Sequence, residues 1–149
     1  SYVAWALYPV YEPRTFLFPS GYGTLGFSLP AAIGAKIARP DTPVVCIIGD
    51  GGFQFTMGEL GVAVQERLSL PIVIFNDSTY SAVKENQAKT RGGRFIGVDL
   101  INPDFLEIAR AYHIPGKLAR TPEELERAIK TALGRDLPTI IEAPIAPWV

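Results

Sequence analysis

Apolar positions along the chain fall into two alternating kinds of run. Val44-Val45-Cys46-Ile47-Ile48 and Ile72-Val73-Ile74-Phe75 are short, rich in β-branched residues and without polar alternation, as expected of strands buried on both faces of a parallel sheet. Thr139 to Ala143, opened by Pro138, predicts another strand, and Lys117 to Ala119 a short one. Helical spacing fills the intervals. Residues 26–38, GFSLPAAIGAKIA, predict a closely packed helix with Pro30 near its first turn, ended by Pro40 and Asp41. Residues 55–67, FTMGELGVAVQER, start a helical pattern that places Leu60, Val64 and Leu68 at three-to-four spacing. NPDFLEIARAYHI has an Asn/Pro/Asp start and groups Phe105, Ile108, Ala109 and Tyr112 on one face. In TPEELERAIKTAL, Thr121 and Glu124 form a capping box and Pro122 takes the first helical position. NDSTYSAVKENQ predicts a polar turn and a short helix, and the Gly/Arg segment 90–94 a mobile loop.

Strands alternating with helices of this length predict an α/β fold: a doubly wound parallel sheet with helices on both faces. Ligands of such sheets gather at the carboxyl ends of the strands. That places Gly49 to Gly52 and Asn76 to Tyr80, each following a strand, on one rim.

Composition narrows the classes of function. With 149 residues, 48% of them hydrophobic, the chain can bury one core and reads as a single domain. A net charge of −1 supplies no basic field, so nucleic acid is not an expected partner. Cys46 is the only cysteine and lies within an apolar run, which excludes a disulfide framework. No apolar stretch approaches the roughly 20 residues of a membrane span, and no signal peptide is visible, so the expected location is the cytoplasm. The chain begins without Met and is aromatic from the outset (Tyr2, Trp5, Tyr8, Tyr11), as a piece of something longer would.

Chemistry concentrates in two turns. In CIIGDGGF, residues 46–53, glycines around Asp50 let backbone amides approach an anion closely. Asp50 would repel that anion unless a cation lay between them, and Mg²⁺ held by one or two carboxylates, a carbonyl and phosphate oxygens resolves the conflict. Asn76 and Asp77, 26 and 27 positions after Asp50, offer the complementary ligand, with Ser78 and Thr79 behind them. GDGG alone is equally an ordinary strand-to-helix turn; joined to NDSTY it becomes a candidate metal and diphosphate clamp. Neither GxxxxGK[ST] nor a GxGxxG opening a helix straight after a strand is present.

IIGDGGFQFTMGELGVAVQERLSLPIVIFNDSTY resembles the thiamine-diphosphate signature of the acetolactate synthase, benzoylformate decarboxylase and pyruvate decarboxylase superfamily, commonly GDG followed at this distance by NN. Upstream, GYGTLGFSLPAAIGAKIARPD is similar to the GxGxxGxxLPAAIGA segment of the same proteins. The resemblance covers nearly the whole chain. It implies the C-terminal, diphosphate- and Mg²⁺-binding domain, spanning residues 1–149, of a longer enzyme with a flavodoxin-like fold, its N-terminal domains and the start of this domain lying outside the sequence.

Carried over by position, the resemblance makes Asp50, Asp77 and the carbonyl of Thr79 the Mg²⁺ ligands. Asp77 stands where the superfamily carries its second Asn, and Asn76 would hold the turn. Gly49, Gly51 and Gly52 would line the diphosphate, with Tyr80, Ser81 and Ala82 framing it from the next helix start. Leu25 matches the bulky residue under the thiazolium, Gly23 the carbonyl that accepts from the 4′-amino group, and Thr24 lies between them; Gly23 and Leu25 are the catalytic candidates. The implied substrate is a 2-oxo acid. The implied partner is the N-terminal pyrimidine-binding domain of another subunit, which would contribute a glutamate, in a homodimer or homotetramer. TYSAV is similar to the TYGAL of benzoylformate decarboxylases, and Val83 occupies a position where pyruvate decarboxylases carry glutamate. The leading expectation is therefore a decarboxylase of the benzoylformate decarboxylase type. An acetolactate synthase-like carboligase and a non-catalytic diphosphate-binding module are the alternatives. His113 and Glu59 are expected at helix surfaces, and Trp5 against another domain or subunit.

Overall fold

The computed structural model describes residues 2–147, with the side chain of Tyr2 excepted. Four strands form one all-parallel sheet: β1 (Cys46–Gly49), β2 (Pro71–Asn76), β3 (Gly116–Leu118) and β4 (Thr139–Pro144), in spatial order β1-β2-β4-β3. Seven helices accompany it among the described residues: α1 (Tyr2–Leu7), α2 (Ser28–Ala38), α3 (Asp50–Thr56), α4 (Leu60–Gln65), α5 (Ser81–Thr90), α6 (Phe105–Ala111) and α7 (Pro122–Leu133).

Side chains of successive strand residues point to opposite faces, so the unbroken apolar runs feed two cores. Cys46, Ile48, Ile72, Ile74 and Ile140 pack under α2, α3, α4 and α6, against Leu29, Ile33, Phe53, Leu60 and Phe105. Val73, Ile141 and Ala143 pack under α7, against Ala128 and Ala132. The sheet is thus covered on both faces, as the alternation predicts. Phe53 and Phe105, both fully buried, meet edge to face with ring centroids 5.6 Å apart and tie α3 to α6.

Strand and helix positions follow the sequence closely at α6, α7, β2 and β4. Asp104 caps α6 by accepting from the amides of Leu106 and Glu107, and Thr121 caps α7 by accepting from Glu124 N. The reciprocal bond of the α7 box runs to Arg120 N, one residue before the cap, at 2.7 Å from Glu124 Oε2.

Two expectations are corrected. The helix expected from residue 55 begins at Asp50 and breaks into a 3₁₀ turn at Met57–Glu59 before resuming as α4. At Thr56 the backbone leaves helical geometry (φ −134°), and its hydroxyl donates to Gly26 O at 3.0 Å, so a tertiary bond marks the break. The helix expected from residue 26 begins at Ser28, because Gly26 sits at φ +83°. A Cβ there would fall 2.8 Å from Thr56 Cγ2. Of the expected loop 90–94, Thr90 still belongs to α5, and residues 91–93 form a turn with positive φ at Gly92 and Gly93.

Candidate cofactor site

β1 and β2 are direct neighbours, with Gly49 paired to Phe75 and Ile48 to Ile74. Their carboxyl ends therefore deliver the GDGG and NDSTY turns side by side. Asp50 is the first residue of α3 and is 2% exposed, a carboxylate sunk beneath the rim. Burial pushes its pKa up, and the nearby charge of Asp77 adds to the rise. A hydrogen bond from Asn102 and the backbone amides of Gly51 and Ser78 oppose it without cancelling it.

Asn76 and Asp77 do different work. The Asn76 amide donates to Glu142 Oε1 on β4 at 2.8 Å, while its Oδ1 accepts from Ser78 N at 3.1 Å and Asn102 Nδ2 at 2.9 Å. Its amide oxygen and one amide N–H are thus engaged in holding the turn. Asp77 accepts from Thr79 N at 3.3 Å and from the Ser81 hydroxyl, and its half-buried carboxylate lines the same cavity as Asp50. Ser78, between the two functional positions and Thr79, takes φ +56°. The turn is closed from behind by Thr79, whose hydroxyl donates to Val98 O at 2.7 Å, and by Tyr80 N donating to the same carbonyl at 2.8 Å.

One open cavity of about 300 Å³ occupies this rim, of a size that takes small organic ligands. Gly23, Thr24, Leu25, Gly49, Asp50, Gly51, Gly52, Asp77, Thr79, Tyr80, Ser81 and Ala82, the site residues expected from sequence, all line it. Leu25, 48% exposed, stands on the segment before α2, across the cavity from β1. Gly51 leaves no room for a side chain: a Cβ would lie 2.3 Å from Tyr80 Cε1 and 3.0 Å from Leu100 Cδ1. Its backbone is accordingly bare toward the cavity. The donor set fits a hard divalent cation beneath a diphosphate, two carboxylates and a carbonyl oxygen backed by glycines. Among the described residues no group of three or more His, Cys, Asp or Glu side chains is placed to hold a metal ion.

The residue that sequence reasoning missed is Asn102. Its Nδ2 donates to Asp50 Oδ2 at 2.6 Å and to Asn76 Oδ1 at 2.9 Å, and its Oδ1 accepts from Gln54 Nε2 at 2.7 Å. One side chain thereby couples both turns to α3. In the sequence it reads only as part of a helix-start signal. His113 and Glu59 are exposed and lie away from the cavity, and Trp5, 57% exposed, stacks on Phe18 at 5.4 Å.

Comparison with known proteins bears on what this rim holds. The family model for the thiamine pyrophosphate enzyme C-terminal TPP-binding domain matches residues 1–143. The chain belongs to that family. This TPP-binding domain is 39% identical over 136 residues to a probable acetolactate synthase large subunit of Methanococcus aeolicus, covering 91% of the chain and 23% of that protein. It is equally 39% identical, over 140 residues, to the benzoylformate decarboxylase of Pseudomonas aeruginosa, covering 94% of the chain and 26% of the relative. A solved thiamine diphosphate-dependent 4-hydroxybenzoylformate decarboxylase of Rhodococcus jostii superposes with a TM-score of 0.77 at 37% identity, over 83% of this chain and 24% of that one. The TPP-binding domain thus spans about a quarter of the length of the relatives it matches. Among the described residues no helix is long and apolar enough to cross a membrane.

Proposed function

We propose that this domain binds thiamine diphosphate through Mg²⁺ and serves an enzyme acting on 2-oxo acids, with decarboxylation of the benzoylformate decarboxylase type as the reaction. The convergence of Asp50 and Asp77 on one cavity, from the ends of adjacent strands, carries this reading. Asp50, Asp77 and the Thr79 carbonyl would hold the metal, and the Gly51 and Gly52 backbone would lie against the diphosphate. Two buried-rim carboxylates that repel one another are stabilised by a cation between them, and the cation in turn offsets their repulsion of phosphate oxygens.

When bound, the cofactor supplies the nucleophilic carbon and the electron sink that loss of CO₂ from a 2-oxo acid requires. The chain's own residues orient and enclose. Leu25 would support the cofactor from one side, and the Gly23 carbonyl would accept a hydrogen bond from its amino group and so orient it for proton transfer. Phe75, Val83 and Ile145 contribute apolar wall to the cavity, which would lower the polarity around a bound cofactor. The remainder of the protein, including a pyrimidine-binding domain from another subunit of a homodimer or homotetramer, would complete the site.

Titration of thiamine diphosphate into the full-length protein, with and without Mg²⁺, tests the clamp. Tight binding should need the metal and be lost in Asp50→Ala. Undiminished, metal-independent binding by that variant would overturn the assignment. Product analysis with benzoylformate and with pyruvate separates the aldehyde of a decarboxylase from the acetohydroxy acid of a carboligase; the latter as sole product would refute the decarboxylase reading.

A further inference from the structure

At the opposite end of the sheet from the cofactor rim, a second depression of about 370 Å³ lies between α7 and the free edge strand β3. Its geometry follows from register. Lys117 pairs with Ile141, so its side chain shares the face that α7 covers, and Thr139, two residues before Ile141, opens onto the same face. From α7 come Glu124, Arg127 and Thr131, spaced by three and four residues along one side of the helix, and Arg135 follows two residues past its end.

Charge and hydrogen bonding there are unbalanced. Lys117, Arg127 and Arg135 make no direct ion pair within the described residues, although the Glu123 and Glu126 carboxylates of α7 feel the charge of Arg127, whereas the neighbouring Lys130 is paired to Glu126. Among the described residues Glu124 is the only acid lining the groove, and one of its oxygens is committed to Arg120 N. Thr131 donates to Arg127 O within the helix. At the floor sits Thr139, 5% exposed, whose hydroxyl has no hydrogen-bond partner. A buried hydroxyl without a partner is costly, and its presence beneath three cations calls for a ligand that satisfies both.

We propose that this groove binds the phosphate group of a small phosphate ester, Arg127, Arg135 and Lys117 pairing with its oxygens over the Thr139 hydroxyl. Guanidinium forks match phosphate geometry, and the hydroxyl supplies the neutral donor that a desolvated oxyanion needs at its base. The volume exceeds what a phosphate alone fills, leaving space for the ester's body, with the uncommitted oxygen of Glu124 available to accept from one of its hydroxyls. The site is independent of the cofactor reading, since it uses the other end of the sheet.

The test uses full-length protein saturated with thiamine diphosphate and Mg²⁺, so that the probe has no access to the cofactor rim. Calorimetry with inorganic phosphate, ribose 5-phosphate and ribose should show saturable binding of both phosphates, tighter for the ester, and none of ribose. Arg127→Gln/Arg135→Gln should weaken phosphate at least tenfold and Thr139→Val several-fold, while Arg110→Gln, on α6 over the opposite face of the sheet, leaves it unchanged. Absence of saturable phosphate binding, wild-type affinity in the double arginine variant, or an equal loss in Arg110→Gln would each overturn the proposal. Wild-type affinity in Thr139→Val would remove the hydroxyl from the site.

Discussion

Removing Asn102 should uncouple the two turns of the site in a way that can be measured without any ligand. Asn102→Ala deletes the 2.6 Å bond to the buried Asp50 carboxylate, a charge-assisted contact of about 1.5–3 kcal/mol. The neutral bonds to Asn76 and Gln54 contribute about 1 kcal/mol each at most. Those losses are partly recovered, because Asn76 Oδ1 keeps Ser78 N and the half-buried Gln54 reaches water. The expected destabilisation is therefore about 2–4 kcal/mol, dominated by the carboxylate left without its donor. In an Asp50→Ala background the same change should cost only about 1 kcal/mol, giving a coupling energy of about 1–3 kcal/mol. Urea unfolding of the four proteins of the cycle gives this number from midpoints at constant slope. A coupling below about 0.5 kcal/mol would show that Asn102 does not hold Asp50 and refute the reasoning.

Gly51→Ala should drive the Tyr80 ring from its place, because the new methyl would sit 2.3 Å from it; thiamine diphosphate affinity should fall tenfold or more while urea stability changes by less than about 2 kcal/mol. Binding at wild-type strength would contradict the tight approach. Phe105→Ala empties the edge-to-face contact with Phe53 and should cost about 3–5 kcal/mol in denaturant unfolding; a loss under about 1 kcal/mol would mean that the α3–α6 contact does not secure the fold. Cys46 is pushed by burial from 9.0 to about 12, so the folded thiol keeps its proton where the unfolded chain releases it. Stability should be insensitive to this group below pH 9 and fall by about 1.4 kcal/mol per unit from there to about pH 12, a slope that Cys46→Ala abolishes in alkaline unfolding titrations.

Much of this architecture is legible locally because each element satisfies its own period. Thr121-Pro122 with Glu124 announces α7 to the residue, and the β-branched runs announce β2 and β4, whose burial on both faces follows from the absence of alternation. GDGG and NDSTY were readable because glycine freedom, a lone carboxylate and a polar turn are local facts. The start of α3 was not, since Gly51 and Gly52 weaken helix propensity and only burial of Phe53 against α6 outweighs it. Asn102 was invisible for a different reason. Its partners lie 26 to 52 positions away, at distances no periodicity encodes. The order β1-β2-β4-β3 is likewise a property of the assembled sheet, not of any one run.

The bond between Asn76 and Glu142 has a consequence for synthesis. Asn76 belongs to the turn that presents Asp77, yet its anchor is on β4, the last strand to leave the ribosome among those of this sheet. β2 must wait, apolar and open on that side, while more than sixty residues are added before its partner arrives. A nascent chain in that interval exposes a strand edge that invites wrong pairing. The turn that presents Asp77 gains its anchor on Glu142 only once β4 has slotted in beside β2, so the rim is completed late, with the finished sheet.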